Sequence, residues 1–128
     1  LLLAGCASAP RAGDYAAFGG QPGLEALVED LLVRSLEDPR IAHHFAEADL
    51  VNLQSRLVEQ FCAELGGPCT YGGRSMAESH AAMGVTEADF NALVEHLLDA
   101  MRARGVPRAA QNRLLARLAP MHRDIVSP

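Results

Sequence analysis

From Tyr15 onward the apolar residues fall at helical spacing, and glycine or proline stops separate one run from the next. Leu24, Leu27, Val28, Leu31 and Leu32 follow an i, i+3, i+4, i+7, i+8 pattern. That predicts a helix entered through the breaker Gly19-Gly20-Gln21-Pro22-Gly23 and stopped near Asp38-Pro39, because proline disfavours helical backbone in the residue before it. After a short turn through Ile41 to Phe45, Asp49 suits the N-cap of a helix with Leu50, Leu53, Leu57, Phe61 and Leu65 on one face. Gly66-Gly67-Pro68 must end it. A glycine-rich loop from Cys69 to Arg74 leads to a short helical segment, Ser75 to about Met83, broken at Gly84. Thr86 with Glu87 and Asp89 reads as the cap of a long helix carrying Phe90, Leu93, Val94, Leu97, Leu98 and Met101, closed by Gly105. Pro107 suits the first turn of a last helix with Leu114, Leu115, Leu118, Met121, Ile125 and Val126 on its inner side. No β-type alternation interrupts residues 15–126, so the fold class is all-α, in one domain.

Size and charge narrow the function. A chain of 128 residues, 49% hydrophobic and 21% charged, is one globular domain and needs neither metal nor disulfide merely to fold. The net charge of −5 and the lack of a basic, aromatic-interleaved patch argue against a nucleic-acid partner. All 11 basic residues are Arg. The absence of Lys removes Schiff-base, P-loop and kinase-type chemistry together.

Leu1-Leu2-Leu3-Ala4-Gly5-Cys6 resembles the end of a bacterial lipoprotein signal, whose lipobox reads Leu-Ala-Gly-Cys. Residues 1–14 are accordingly expected to be a signal remnant and flexible tether, with Cys6 as the lipidation site and residues 15–128 as the folded domain. The membrane would be met only through that anchor, at the bacterial cell envelope and facing the periplasm; the bland alternative is a cytosolic protein with an apolar start.

The informative segment is Gly66-Gly67-Pro68-Cys69-Thr70-Tyr71-Gly72-Gly73-Arg74-Ser75-Met76, with His80 four residues on. With Tyr15-Ala16-Ala17-Phe18-Gly19-Gly20, Asp38-Pro39-Arg40, Phe45, Gly105-Val106-Pro107 and Ala119-Pro120, it resembles the group I truncated haemoglobins, or bacterial-like globins, along nearly the whole chain after the tether. The resemblance implies a truncated-globin two-over-two helical sandwich enclosing haem b, iron protoporphyrin IX. The implied function is reversible binding of a diatomic gas (oxygen, nitric oxide or carbon monoxide), with a redox partner whose identity the residues do not give.

Five histidines compete to ligate iron: His43, His44, His80, His96 and His122. An axial donor must be neutral near pH 7, which imidazole satisfies. His80 stands apart because glycines bound its short helix and Met76, one turn earlier, shares its face. The family motif marks it as the proximal ligand; His96 and His122 are expected at partly exposed positions. Phe45 matches the phenylalanine that stacks on the macrocycle. Resemblance also places Leu32, Leu53, Leu57, Phe61, Phe90, Leu93 and Leu118 around haem, while periodicity shows only that they face inward. Arg56, Arg74 and Tyr71 are candidates to hold the propionates.

Two departures bear on ligand choice. The family commonly has a tyrosine in the second helix and glutamines in the third; the matching positions here read Leu32, Leu53 and Leu57, with Gln54 and Gln60 expected to point away. Bound oxygen draws negative charge, so a pocket without a donor should release oxygen fast and favour carbon monoxide or nitric oxide. A further reading is enzymatic, nitric oxide dioxygenase or peroxidase chemistry as a side activity, and it is disfavoured because no distal acid–base residue is evident. The competing reading is a haem-free helical lipoprotein module that binds another protein on a globin-like scaffold. Finally, Cys62 lies late in its helix and Cys69 just past the Gly-Gly-Pro reversal. In an oxidising envelope, with Cys6 taken by lipid, these two are expected to form a disulfide.

Overall fold

The computed structural model describes residues 13–127; Cys6, the lipobox and most of the tether lie outside them. The described residues form helices and loops without a strand: α1 (Asp14–Ala17), α2 (Gly20–Leu36), a 3-10 turn (Ala42–Phe45), α3 (Leu50–Glu64), α4 (Met76–His80), α5 (Glu87–Ala103), α6 (Arg108–Leu118), a second 3-10 turn (Ala119–Met121) and α7 (His122–Ile125). Helix α2 packs on α3 and α5, α3 also meets α6, and α4 rests on α7. The long helices α2, α3, α5 and α6 thus pack as a two-over-two sandwich, with the short α4 against α7.

The hydrophobic stripe of α2 is the centre of the core. Leu24, Leu27, Val28 and Leu31 are at most 2% exposed and join Cys62, Leu65, Met101 and Leu114. Each such leucine contributes about 1.5–3 kcal/mol by leaving water. The glycine run that looked like a breaker lies inside the first turn of α2, not before it. Pro22 is tolerated there because the first turn has no intrahelical acceptor for its missing N–H. Gly19 caps the helix at φ 88°, and a Cβ on Gly23 would collide with the Phe18 carbonyl oxygen. Backbone therefore packs directly on backbone where α1 turns into α2.

Two buried carboxylates tie the layers. Asp14 receives three hydrogen bonds from Arg113 at 2.7–3.1 Å, joining α1 to α6. Asp38, just past α2, accepts from the Arg40 side chain and backbone and lies 2.7 Å from His96 Nε2 on α5. The Arg40 hydrogen bonds, backed by His96, hold the Asp38 carboxyl well below the ordinary carboxylate range. His96 is thereby half-buried and partnered.

Asp49 caps α3 by accepting the Asn52 N–H at 3.1 Å. Leu50, expected on the inner face, is 38% exposed, in a stretch from 46 to 52 that is exposed throughout. The helix stops as expected: Gly66 has φ 75°, and Cys62 and Cys69 are joined across the reversal with Cα atoms 5.9 Å apart. Helix α4 starts with a reciprocal Ser75–Glu78 capping box and ends at His80, short of Met83. Ala81 leaves the helix at ψ 135° and Ala82 follows at φ 61°. Thr86 and Asp89 cap α5 reciprocally, and Gly105 leaves it at φ 68°. The last helix is not continuous. Pro107 is its N-cap, α6 stops at Leu118, and Pro120, lacking an N–H, forces a 3-10 turn before α7. None of the described helices is long and apolar enough to cross a membrane.

Candidate functional site

Between α3, the loop after it and α4 lies a cavity of about 800 Å³, within the usual range for cofactor sites. Helix α3 contributes Leu53, Arg56, Leu57 and Gln60 at the spacing that puts them on one face. The loop contributes Tyr71 to Arg74, and α4 contributes Met76, Ser79 and His80. Seven of the residues singled out in the sequence therefore meet here: Leu53, Arg56, Leu57, Tyr71, Arg74, Met76 and His80.

His80 is oriented by its own helix. Its Nδ1 lies 2.8 Å from the Met76 carbonyl oxygen. A carbonyl can only accept, so Nδ1 carries a proton, and in the neutral imidazole the lone pair is then on Nε2. This is the tautomer and outer hydrogen bond that metal-ligating histidines use. The capping box at Ser75, with the Glu78 carboxyl lowered by its Ser75 hydrogen bonds, anchors the start of this five-residue helix.

The loop is held from α3. Glu59 accepts the Gly72 N–H at 3.1 Å and the Arg56 Nη1–H at 3.0 Å, which together lower its carboxyl, the backbone bond most. Tyr71 donates its hydroxyl to the Arg74 carbonyl at 2.7 Å, curling the loop over itself. A Cβ on Gly73 would strike the Tyr71 hydroxyl end, so a side chain there would push Tyr71 off the Arg74 carbonyl. Arg56 and Arg74 thus stand at the cavity rim, the first already paired with Glu59.

Gln60 corrects one expectation. It does not point away; it is 7% exposed and lines the cavity, with Nε2 donating to Met121 Sδ at 3.1 Å and Met76 Sδ at 3.6 Å. One residue off the leucine stripe is still within the arc of α3 that faces the cavity, which a simple i, i+4 reading misses. Gln54 does turn away, its amide reaching the Glu25 carbonyl on α2 at 3.4 Å. The structure does not bring the other proposed haem contacts to the cavity wall. Leu32 and Phe61 are buried in the core, against which Phe45, Leu93 and Leu118 pack. Phe90 meets His122 edge-on with ring centroids 4.9 Å apart. A second groove, about 620 Å³ between α2 and α3, is lined by Glu25, Glu29, Val51 and Ser55 and offers no imidazole.

The donor set fits haem. Leu53, Leu57 and Met76 in a lining that also carries polar groups such as Asn52 and Ser79, a histidine whose Nδ1 is engaged by a carbonyl, and two arginines match an apolar macrocycle with a metal centre and anionic tails.

The profile of the bacterial-like globin family matches residues 14–127. The chain is 35% identical to a group 1 truncated hemoglobin of Mycolicibacterium paratuberculosis, an alignment covering 98% of this chain and 93% of that one. It is 34% identical to that of Nostoc commune, over 88% and 96% of the two chains. Among solved structures, truncated hemoglobin from Tetrahymena pyriformis in the Fe(III) form superposes with a TM-score of 0.85 at 26% identity, covering 90% of this chain and 98% of that one. The chain belongs to the bacterial-like globins and has the two-over-two fold of the truncated haemoglobins.

Proposed function

We propose that the chain holds haem b in the α3–α4 cavity and reversibly binds a diatomic gas there. The observation that carries this reading is His80, whose Nδ1–H bond to the Met76 carbonyl leaves Nε2 as a neutral donor on the cavity wall. Bound haem supplies the iron centre that a neutral gas ligand can occupy. The protein supplies the rest: His80 ligates and orients, Arg56 and Arg74 meet the propionates, and Leu53 and Leu57 exclude water. No tyrosine or glutamine stands at the leucine positions, so oxygen gains little stabilisation and carbon monoxide or nitric oxide competes well. Gln60 is the one buried amide nearby, and its donors are turned to two thioethers.

The test is a visible spectrum after haem is supplied. A Soret band shifted from free haem, lost or strongly altered in His80→Ala while circular dichroism stays helical, supports the reading. A chain that takes up no haem overturns it in favour of a haem-free interaction module.

We also propose an envelope location through lipid on Cys6. The Leu-Ala-Gly-Cys stretch and the Cys62–Cys69 disulfide, a bond that persists in oxidising compartments, support it. Cell fractionation of the intact protein against Cys6→Ser tests it: equal recovery of both in the soluble fraction refutes the anchor.

A further inference from the structure

Away from the cavity, the fold assembles a second set of metal-capable side chains. His43 and His44 are consecutive in the first 3-10 turn, and Asp89 comes from the first turn of α5. One donor atom from each lies within 4.8 Å of the other two. His44 Nε2 is 2.9 Å from Asp89 Oδ2, and these side chains are only 10% and 17% exposed, whereas His43 stands in solvent beside them. The two imidazole centroids are 4.1 Å apart.

We propose that His43, His44 and Asp89 bind one divalent transition cation of the zinc class, with a fourth position open to solvent. Two imidazoles and a carboxylate are a donor set that suits zinc, and three protein ligands leave a tetrahedral ion one free site. Ligand atoms about 2.0–2.2 Å from a tetrahedral ion stand roughly 3.3–3.6 Å from each other. The His44–Asp89 pair is already near that spacing, and the cation takes the place of the proton the two now share. The wider separations close by rotating His43, which is exposed and free to turn.

The shielded pair is held in place by what surrounds it. Asp89 Oδ2 also accepts the Thr86 N–H at 3.1 Å, and the Asp89 N–H returns a bond to Thr86 Oγ1 at 3.0 Å. The α5 capping box therefore aims the carboxylate, the role that outer hydrogen bonds play around metal sites. The turn fixes the histidines: His44 N–H bonds the Ile41 carbonyl at 3.0 Å, and the His43 carbonyl accepts from Ala46 at 3.4 Å. A His44–Asp89 hydrogen bond alone would tie the turn to α5; the adjoining exposed His43 completes a ligand set beyond that need. None of the three residues lines the His80 cavity.

Zinc sulfate titrated calorimetrically into the full chain carrying Cys6→Ser, so that no free thiol competes, tests the site. The expected result is one ion per chain. Losing even an outer partner of a metal site weakens binding about 10–100-fold, so His43→Ala and Asp89→Asn should each cost at least tenfold. Both keep the fold testable, since His43 is exposed and Asn can still accept in the cap. His80→Ala should bind zinc like the parent. No binding by the parent, undiminished binding by His43→Ala, or loss of binding in His80→Ala would each overturn the assignment.

Discussion

Replacing both cysteines of the Cys62–Cys69 bridge by alanine tests the architecture at the junction of α3 and the cavity loop. The residues are 7 apart in sequence, so the closed loop is short and its entropic contribution modest. In the chain-entropy model a loop of about 8 residues restricts the unfolded chain by roughly 2.5 kcal/mol at 25 °C. The described domain spans 115 residues, for which unfolding entropy near 2.1 cal/mol/K per residue gives about 4 °C per kcal/mol. The double variant should therefore melt about 10 °C below the oxidised parent. Some additional loss is expected at Cys62, which is fully buried against the core. Differential scanning calorimetry of the parent, the double variant and the parent with reductant separates the two contributions: reductant removes the bridge and keeps the sulfur volume. A midpoint for the reduced parent within about 2 °C of the oxidised one would refute the loop-closure argument.

Gly23→Ala should destabilise the fold by about 1–3 kcal/mol, because its Cβ must displace the Phe18 backbone rather than a flexible side chain; urea unfolding reads this out. Asp38→Asn should show its stability deficit most fully at neutral pH. The folded Asp38 carboxyl titrates below its unfolded value near 3.9, so its stabilisation is present above about pH 4 and lost as pH falls further. A urea midpoint gap between parent and variant that stays constant from pH 7 to pH 3 would contradict this. Leu57→Gln places an amide on the cavity wall and, if the proposed gas site is right, should slow oxygen release about 10–150-fold while carbon monoxide release changes little. Stopped-flow rates for the two gases decide it.

The helices that announced themselves in the sequence are those with both a stripe and a chemical cap. Asp49 and Thr86 each accept the backbone N–H three residues on, and each marked a true start. The misread boundaries came from glycine and proline acting against their commonest meaning. Pro22 lies within a first turn, where it costs no hydrogen bond, and Pro120 breaks an apolar run whose periodicity continues through it. Around the cavity, residues close in sequence to His80 were legible because a few residues of loop and one helical turn leave little freedom. Positions such as Phe45, Phe90 and Leu118 were readable only as inward-facing, since periodicity gives a direction and not a neighbour. Gln60 was missed because a polar side chain on an apolar helix reads as outward until its thioether partners, 16 and 61 residues away, are seen.

The carboxylate of Glu59 gives the cavity rim a shared latch. It grips the loop through Gly72 and the rim cation through Arg56 with the same oxygen, Oε1. An anionic group arriving at the rim must bid for Arg56 against Glu59. An anion that took Arg56 from Glu59 would thus leave that carboxylate to the Gly72 N–H of the strap that leads to His80, whereas Glu59→Gln would free the cation and weaken the hold on the strap together.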